Sequence, residues 1–406
     1  MHTLRPYQTE LSKKALHILT ELKIVYLACE VRTGKTAISL ETAKLYGAKN
    51  VLFLTKKKAI KSILSDYNNF GYNFTITVIN NESLHTIDGN FDLIISDEHH
   101  RCATYPKPNK VAKLIKLRYS KLPMIFLSGT PHPESYSQIF HQYWINDNSP
   151  FKHYNFYLWA KDFVTIKKVN LGYAVVNDYS NANKELIDKI LKKYTLSFTQ
   201  KEAGFTSEVK ENIIFIDAVE YTHSLAKRLT KDKIINGTNE IIIADTGAKL
   251  LTKLHQIWSG TIKFESGKTM VLDYSKANYI FDNFKTKTAI FYKFKAELDA
   301  IQEVFKDTVT TDLFEFDNSD KHIALQIVSG REGISLKNAK QLVYYNIDFS
   351  AVSYWQSRDR LTTMDRLTND VFYIFTKNGI ESKIYKSVLN KKNYTLSVFK
   401  KDNNGF

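Results

Sequence analysis

The sequence predicts an α/β protein built from two tandem, doubly wound parallel-sheet domains, and three observations carry that prediction. Four short runs, at residues 24–28, 51–54, 93–95 and 124–127, are apolar or aromatic at every position. Continuous rather than alternating apolarity marks a strand covered by helices on both faces, as in a parallel sheet. Helical patterns lie between these runs, one of them over residues 37–46 with Gly47 as its stop. A similar set of runs returns at 213–216, 289–292, 323–328, 342–345 and 371–375. The predicted domains are 1–165 and 206–406. Residues 166–205, polar and rich in Lys and Asn with one amphipathic pattern (Leu186, Ile187, Ile190, Leu191), are the expected linker or hinge.

Composition narrows the class of partner. At 406 residues and 43% apolar content the chain can build real cores, which excludes a disordered tail. A net charge of +15 favours a polyanionic partner, nucleic acid before a membrane surface. No apolar run approaches the roughly 20 residues that span a bilayer. Cys29 and Cys102 are too few for a disulfide framework, and no secretory signal pattern opens the sequence, so a reducing, cytoplasmic location is expected. Of the 57 basic residues only nine are Arg, so each guanidinium merits individual inspection.

The first run leads directly into Cys29-Glu30-Val31-Arg32-Thr33-Gly34-Lys35-Thr36 and then into a helical pattern. A strand feeding a tight loop into a helix N-terminus aims backbone N–H groups and the positive end of the helix dipole at one spot, where a polyphosphate fits. Lys35 would reach the β and γ phosphates and the Thr36 hydroxyl would ligate Mg²⁺. The general motif has Gly where this chain has Cys29. A second Gly-Lys-Thr, at 267–269, precedes another strand-like run and reads as a turn. The run at 93–95 ends in Ser96-Asp97-Glu98-His99-His100, placing a carboxylate at a strand end beside the loop. Asp97 would hold Mg²⁺ and Glu98 would orient and deprotonate the attacking water. Neither CxxC nor HxxxH accompanies the His pair and Cys102, so a zinc site is not expected.

In this order and spacing the residues resemble superfamily 2 helicases and translocases. Leu4-Arg5-Pro6-Tyr7-Gln8 is similar to the adenine-sensing Q motif, Arg32 to Thr36 to motif I, Leu54-Thr55-Lys56 to motif Ia, and Asp97-Glu98-His99-His100 to motif II in its DExH form. Ser128-Gly129-Thr130-Pro131 is similar to motif III. In the second half, residues 289–294 resemble motif IV, 329–336 motif V, and Gln356-Ser357-Arg358-Asp359-Arg360-Leu361 motif VI. Residues 254–260 and the segment ending at Leu298 point to the Snf2-like branch, and the small size to the compact versions encoded by tailed bacteriophages.

The resemblance implies two RecA-like domains with a nucleotide cleft between them, ATP and Mg²⁺ as cofactors, and DNA as partner. Nucleotide contacts fall to Arg5, Gln8, Arg32, Thr33, Gly34, Lys35, Thr36 and Gly333, and catalytic roles to Lys35, Asp97, Glu98, Gln356, Arg360 and Arg358. His100, Ser128 and Thr130 would couple hydrolysis to strand movement. Backbone gripping of nucleic acid, with little base specificity, falls to Thr55, Lys56, Asn81, Ser83, Tyr292, Ser329 and Gly330. The family's second motif VI arginine is replaced here by Thr363, so the finger is expected at Arg360, then Arg358, with Arg366 a further source. The implied function is an ATP-dependent helicase or translocase on forked or branched DNA in replication, recombination or repair, monomeric in action, without a membrane. An RNA helicase and a remodelling translocase that does not separate strands are the alternatives. Intact Lys35, Asp97, Glu98 and Arg360 argue against a non-catalytic scaffold, and an ordinary P-loop kinase leaves the second domain unexplained.

Overall fold

The computed structural model describes residues 2–132, 135–170, 175–206, 208–330, 334, 336–362 and 368–390. Two compact units divide the chain, Met1–Phe205 and Thr206–Phe406.

The first unit runs α1 (Pro6–Leu22), β1 (Ile24–Cys29), α2 (Lys35–Tyr46), β2 (Asn50–Thr55), α3 (Ile60–Phe70), β3 (Thr75–Asn80), β4 (Leu93–Ser96), α4 (Lys110–Tyr119), β5 (Met124–Leu127), α5 (Ile139–Trp144) and α6 (Phe156–Phe163). It closes with a ribbon of β6 (Lys167–Asn170) and β7 (Val175–Asp178), then α7 (Lys184–Leu191) and β8 (Thr195–Phe198). The main sheet has the order β3-β2-β4-β5-β1-β8, and every pairing in it is parallel. Its strands are apolar on both sides because both sides are covered: Ile24 and Tyr26 enter the core shared with α4, α5 and α6, while Val25, Leu27 and Cys29 enter the core shared with α1 and α2. Burying each such side chain contributes roughly 1.5–3 kcal/mol.

Residues 166–205, expected as a linker, belong instead to the first unit. Strand β8 pairs in parallel with β1 from Tyr26↔Thr195 to Cys29↔Phe198, and Ile187 and Leu191 of α7 join the core under β5. An edge strand with one half-exposed face needs few apolar residues, so its polar composition resembled a connection.

The second unit runs β9 (Glu208–Ile216), α8 (Glu220–Asp232), β10 (Ile234–Asn236), β11 (Ile241–Ile243), α9 (Gly247–Trp258), β12 (Thr261–Lys263), β13 (Thr269–Val271), α10 (Ser275–Asn283), β14 (Thr288–Tyr292), α11 (Lys295–Phe305), β15 (Val309–Thr310), α12 (Leu313–Asp317), β16 (His322–Gln326), α13 (Ile327–Gly330), β17 (Gln341–Tyr344), α14 (Ala351–Arg358), β18 (Thr368–Thr376) and α15 (Glu381–Leu389). Its sheet, β15-β16-β14-β17-β18-β9, is again all parallel. The run at 323–328 is divided: its last residues turn into α13 rather than extending β16. Gly267, at φ +91°, makes the turn into β13, as expected of the second Gly-Lys-Thr. Inside this unit the Lys276 ammonium donates to Glu381 Oε1 at 2.8 Å and to the Tyr345 carbonyl at 3.1 Å, with both side chains out of water.

Two outcomes follow for stability. Glu381→Ala strands a buried ammonium and costs roughly 3–5 kcal/mol in urea unfolding, whereas Lys276→Met combined with Glu381→Leu recovers most of that loss. In the first unit, burial holds His99 down to about 3 and His141 down to about 4, so both imidazoles stay neutral in the fold. The unfolded chain takes up protons below about pH 6.5 that the folded one refuses. Stability is therefore full above that pH and falls as pH drops towards 4, by roughly 3 kcal/mol for His141 alone. Urea midpoints measured from pH 7 to 4.5 should show a flatter profile for His141→Gln.

Candidate nucleotide site

In a parallel sheet the strand C-termini share one edge, and β1, β2, β4 and β5 deliver Cys29, Thr55, Asp97 and Ser128 to it. The loop after β1 enters α2 through Gly34, whose φ of +84° only glycine adopts readily. Lys35, the first helical residue, donates through Nζ to the carbonyls of Cys29 at 2.9 Å and Glu30 at 3.0 Å. A carbonyl does this whatever the side chain. Cys29 instead turns its thiol into the core, where burial pushes it up to about 11. The departure from glycine thus falls on a residue whose backbone does the work.

The loop is braced from two sides. Tyr7 and Gln8 donate to the Thr33 carbonyl at 3.1 and 3.4 Å, and Gln8 Oε1 accepts the Arg5 amide at 2.9 Å. From the supposed linker, the Gln200 amide donates to Glu30 Oε2 at 2.7 Å, Gln200 Nε2 to the Val31 carbonyl at 3.0 Å, and Phe198 stacks on Tyr7 with ring centres 4.9 Å apart. Sequence reasoning missed Gln200 and Phe198, since nothing local links them to a loop about 170 residues away. Beside the loop, Arg5, Gln8, Arg32, Gly34 and Thr36 line a 590 Å³ cavity together with Asp66 and Phe70, two further residues the motifs did not mark. Thr33 is buried and spends its hydroxyl on the Glu30 carbonyl at 2.8 Å, so it shapes the loop from within.

Asp97 is half-buried at the end of β4. Its Oδ2 accepts the Thr55 hydroxyl at 2.8 Å and its Oδ1 the Glu98 amide at 3.0 Å. Burial, with Glu98 adding to it, pushes the carboxyl up to about 6, against the pull of the Lys35 ammonium. Glu98 has a left-handed backbone (φ +48°), and its Oε2 lies 3.3 Å from His100 Nδ1. That same nitrogen is 2.9 Å from Ser128 Oγ, which accepts the Thr130 amide at 3.1 Å. Gly129 lies over the loop, where an added Cβ would sit 3.6 Å from the Cys29 carbonyl and 3.8 Å from Lys35 Nζ. The motif II and motif III residues are thus brought together. His99 faces inward instead, stacked on Phe126 at 3.7 Å and tied to Ser96 and the Gln142 carbonyl.

Three expected strand contacts are corrected by burial. The Thr55 side chain has no exposed surface and is committed to Asp97, Asn81 donates inward to the Thr55 carbonyl at 3.2 Å, and Tyr292 packs in a core of the second unit. Thr55 and Tyr292 end strands that are covered on both faces, and Asn81 opens the short 3-10 turn that follows β3. Lys56 is half-buried just beyond β2, and Ser83 donates to Asn80 at 2.8 Å. Ser329 and Gly330 end α13. Gly333, Arg331 and Arg366 lie outside the described residues, as do the side chains of Ser329 and Asp359.

In the second unit, Gln356 is buried on α14, and Arg360 donates to the Ile334 carbonyl at 3.1 Å. Arg358 lies over the Trp355 ring at 4.4 Å and 3.8 Å from Glu211. Glu211 also accepts the hydroxyls of Tyr354, Tyr373 and Tyr385 at 2.6, 3.0 and 2.8 Å, which pins α14 and α15 to β9. The segments 254–260 and 291–298 meet in one buried chain: His255 Nε2 donates to Asn346, Asn346 to Glu297, and Glu297 accepts the amides of Lys293 and Phe294.

The residues fit a Mg²⁺–triphosphate pair. A cation on its own loop carbonyls, the N-terminal amides of α2, the half-buried Asp97 carboxylate and the buried Thr130 hydroxyl, which has no partner among the described residues, form a donor set suited to phosphate and a divalent ion. Among the described residues no cluster of three or more His, Cys, Asp or Glu stands ready to hold a metal alone, and no helix is long and apolar enough to cross a membrane.

No protein-family model matches the chain, and no curated protein matches it. Among solved structures it is similar to the Sulfolobus solfataricus SWI2/SNF2 ATPase core in complex with dsDNA, at 15% identity and a TM-score of 0.44 over 98% of this chain and 92% of that one. It is also similar to the Sulfolobus solfataricus SWI2/SNF2 ATPase core domain, at 16% identity and a TM-score of 0.43 over 96% and 89%.

Gly34→Ala forces a side chain into the left-handed region and drives a Cβ to 2.1 Å from Gln8 Nε2. Nucleotide affinity, read by titration with a fluorescent ATP analogue, should fall roughly tenfold or more.

Proposed function

We propose that the chain is an ATP-dependent DNA translocase or helicase that couples ATP hydrolysis to movement on, or unwinding of, forked or branched DNA in replication, recombination or repair. The observation that carries this is Lys35 at the start of α2, its ammonium resting on two loop carbonyls and acting electrostatically on the Asp97 carboxylate. The α2 amides and Lys35 hold the β and γ phosphates, while Arg5, Gln8 and Phe70 in the adjoining cavity receive the adenine. Thr36 and Asp97 are the residues to hold Mg²⁺, which supplies neutralisation of phosphate charge when bound. Glu98 orients and deprotonates the attacking water. Arg360 first, and Arg358 second, are assigned to the charge that develops on the terminal phosphoryl group.

His100, Ser128 and Thr130 form the coupling path from that phosphate. Lys56, Ser83, Ser329 and Gly330 remain the proposed grips on the nucleic-acid backbone. Thr55 is reassigned as a positioning residue that orients Asp97. The protein works as a monomer in the cytoplasm of a bacterium or phage-infected host.

ATP hydrolysis measured with duplex, forked and single-stranded DNA and with RNA tests the reading, and strongest stimulation is expected from duplex or forked DNA. Lys35→Ala should abolish turnover. Glu98→Gln should lower kcat by about 10²–10⁴-fold while nucleotide still binds. Absence of stimulation by any nucleic acid would remove the motor function.

A further inference from the structure

We propose that a cavity on the outer side of α4 and α5 in the first unit binds an unpaired nucleic-acid strand, with bases stacking on Tyr154 and Trp144 and phosphates meeting Lys107, Lys113 and Lys152. The cavity has a volume of 520 Å³, inside the range of about 300–1,000 Å³ usual for built ligand sites. Its walls combine two features.

One is a set of rings left open to water. Tyr154 is 85% exposed although it belongs to a tightly turned segment, and Tyr157 is 45% exposed. The Trp144 indole beside them is fixed by donation of its N–H to the Tyr154 carbonyl at 3.2 Å. The other is an unbalanced charge. Among the described residues Asp147 is the only acidic one lining the cavity, and Lys116 pairs with it at 2.7 Å. Lys107, Lys113 and Lys152 have no carboxylate partner among the described residues.

Lysines alone would suit any polyanion, and rings alone any apolar group. Together they suit a polyanion that carries planar faces of its own. A single strand offers bases for stacking and a phosphate at each step, and base–aromatic stacking is tolerant of sequence. A duplex keeps its base faces stacked on one another, and an acidic peptide offers charge without planar faces.

The position separates this site from the nucleotide. Helices α4, α5 and α6 cover one face of the sheet, and α1 and α2, the helix that the phosphate loop leads into, pack on the other. Strand and nucleotide would therefore bind without competing. Resting on the motor function proposed above, the cavity is where a displaced strand would be held while the duplex is tracked elsewhere.

The test uses the full chain without nucleotide and a fluorescent oligothymidylate, followed by anisotropy. Tyr154→Ala should weaken binding about tenfold, and Tyr154→Phe, which keeps the ring, should retain it. Lys107→Glu and Lys152→Glu should each flatten the dependence of log affinity on log salt by roughly 0.7. Thermal melting should be unchanged, since Tyr154 buries little. Equal oligothymidylate affinity for the parent and Tyr154→Ala overturns the proposal. So does an equal loss of duplex and oligothymidylate binding, or displacement of the oligonucleotide by polyglutamate that is indifferent to Tyr154→Ala, an outcome that marks an acidic-polypeptide surface instead. Duplex-stimulated ATP hydrolysis is measured on the same variants, so a protein that binds the oligonucleotide but never hydrolyses ATP counts against the motor and leaves this site standing.

Discussion

Parallel pairing governs this structure. Strands that all run the same way must be joined by crossovers, and every crossover leaves from one edge of the sheet and returns to the other. Residues distant in sequence, at the ends of β1, β2, β4 and β5, are thereby gathered on one rim without any contact needing to be encoded between them. Register completes the arrangement: Leu54 opposite Ser96, and Ser96 opposite Phe126, place Thr55, Asp97 and Ser128 at neighbouring strand ends. The hydroxyl of Thr55 on Asp97 and the contact of Gly129 with the phosphate loop are then consequences of geometry that backbone hydrogen bonds impose.

What the sequence made legible follows from the same constraint. Central strands are apolar on both faces, so β1, β2, β4, β5, β14 and β17 announced themselves, and the phosphate loop was readable because its strand, turn and helix are contiguous. Edge strand β8 did not announce itself, because half of it faces water. Gln200 escaped notice because a brace across about 170 residues leaves no local periodicity. The burial of Thr55, Asn81 and Tyr292 was not legible, because a motif gives position along a chain and not the direction in which a side chain points. Glu211 gave no signal at all: only folding assembles three phenols and a guanidinium around one carboxylate.

Scarce arginine has a wider use than phosphate recognition. Arg360 clasps the Ile334 carbonyl, and Arg118 reaches the carbonyls of Leu84 and Ile87 at 3.5 and 2.8 Å. Arg358 combines a stack on Trp355 with an ion pair. A planar fork that keeps its charge serves these tasks better than a mobile ammonium. Rarity of a residue type in this chain therefore points to fixed geometry, whether the partner is a ligand or the chain's own backbone.

The late position of β8 bears on how the protein is made. The strand carrying the phosphate loop, near residue 29, lies between β5 and a strand that ends at residue 198. Domains assemble from the amino terminus as they leave the ribosome. Here the loop after β1 cannot acquire its second brace until the chain has been synthesised past Gln200. Until then β1 presents a bare, apolar edge to solvent, and nascent chains of intermediate length are the ones most exposed to mispairing and chaperone capture.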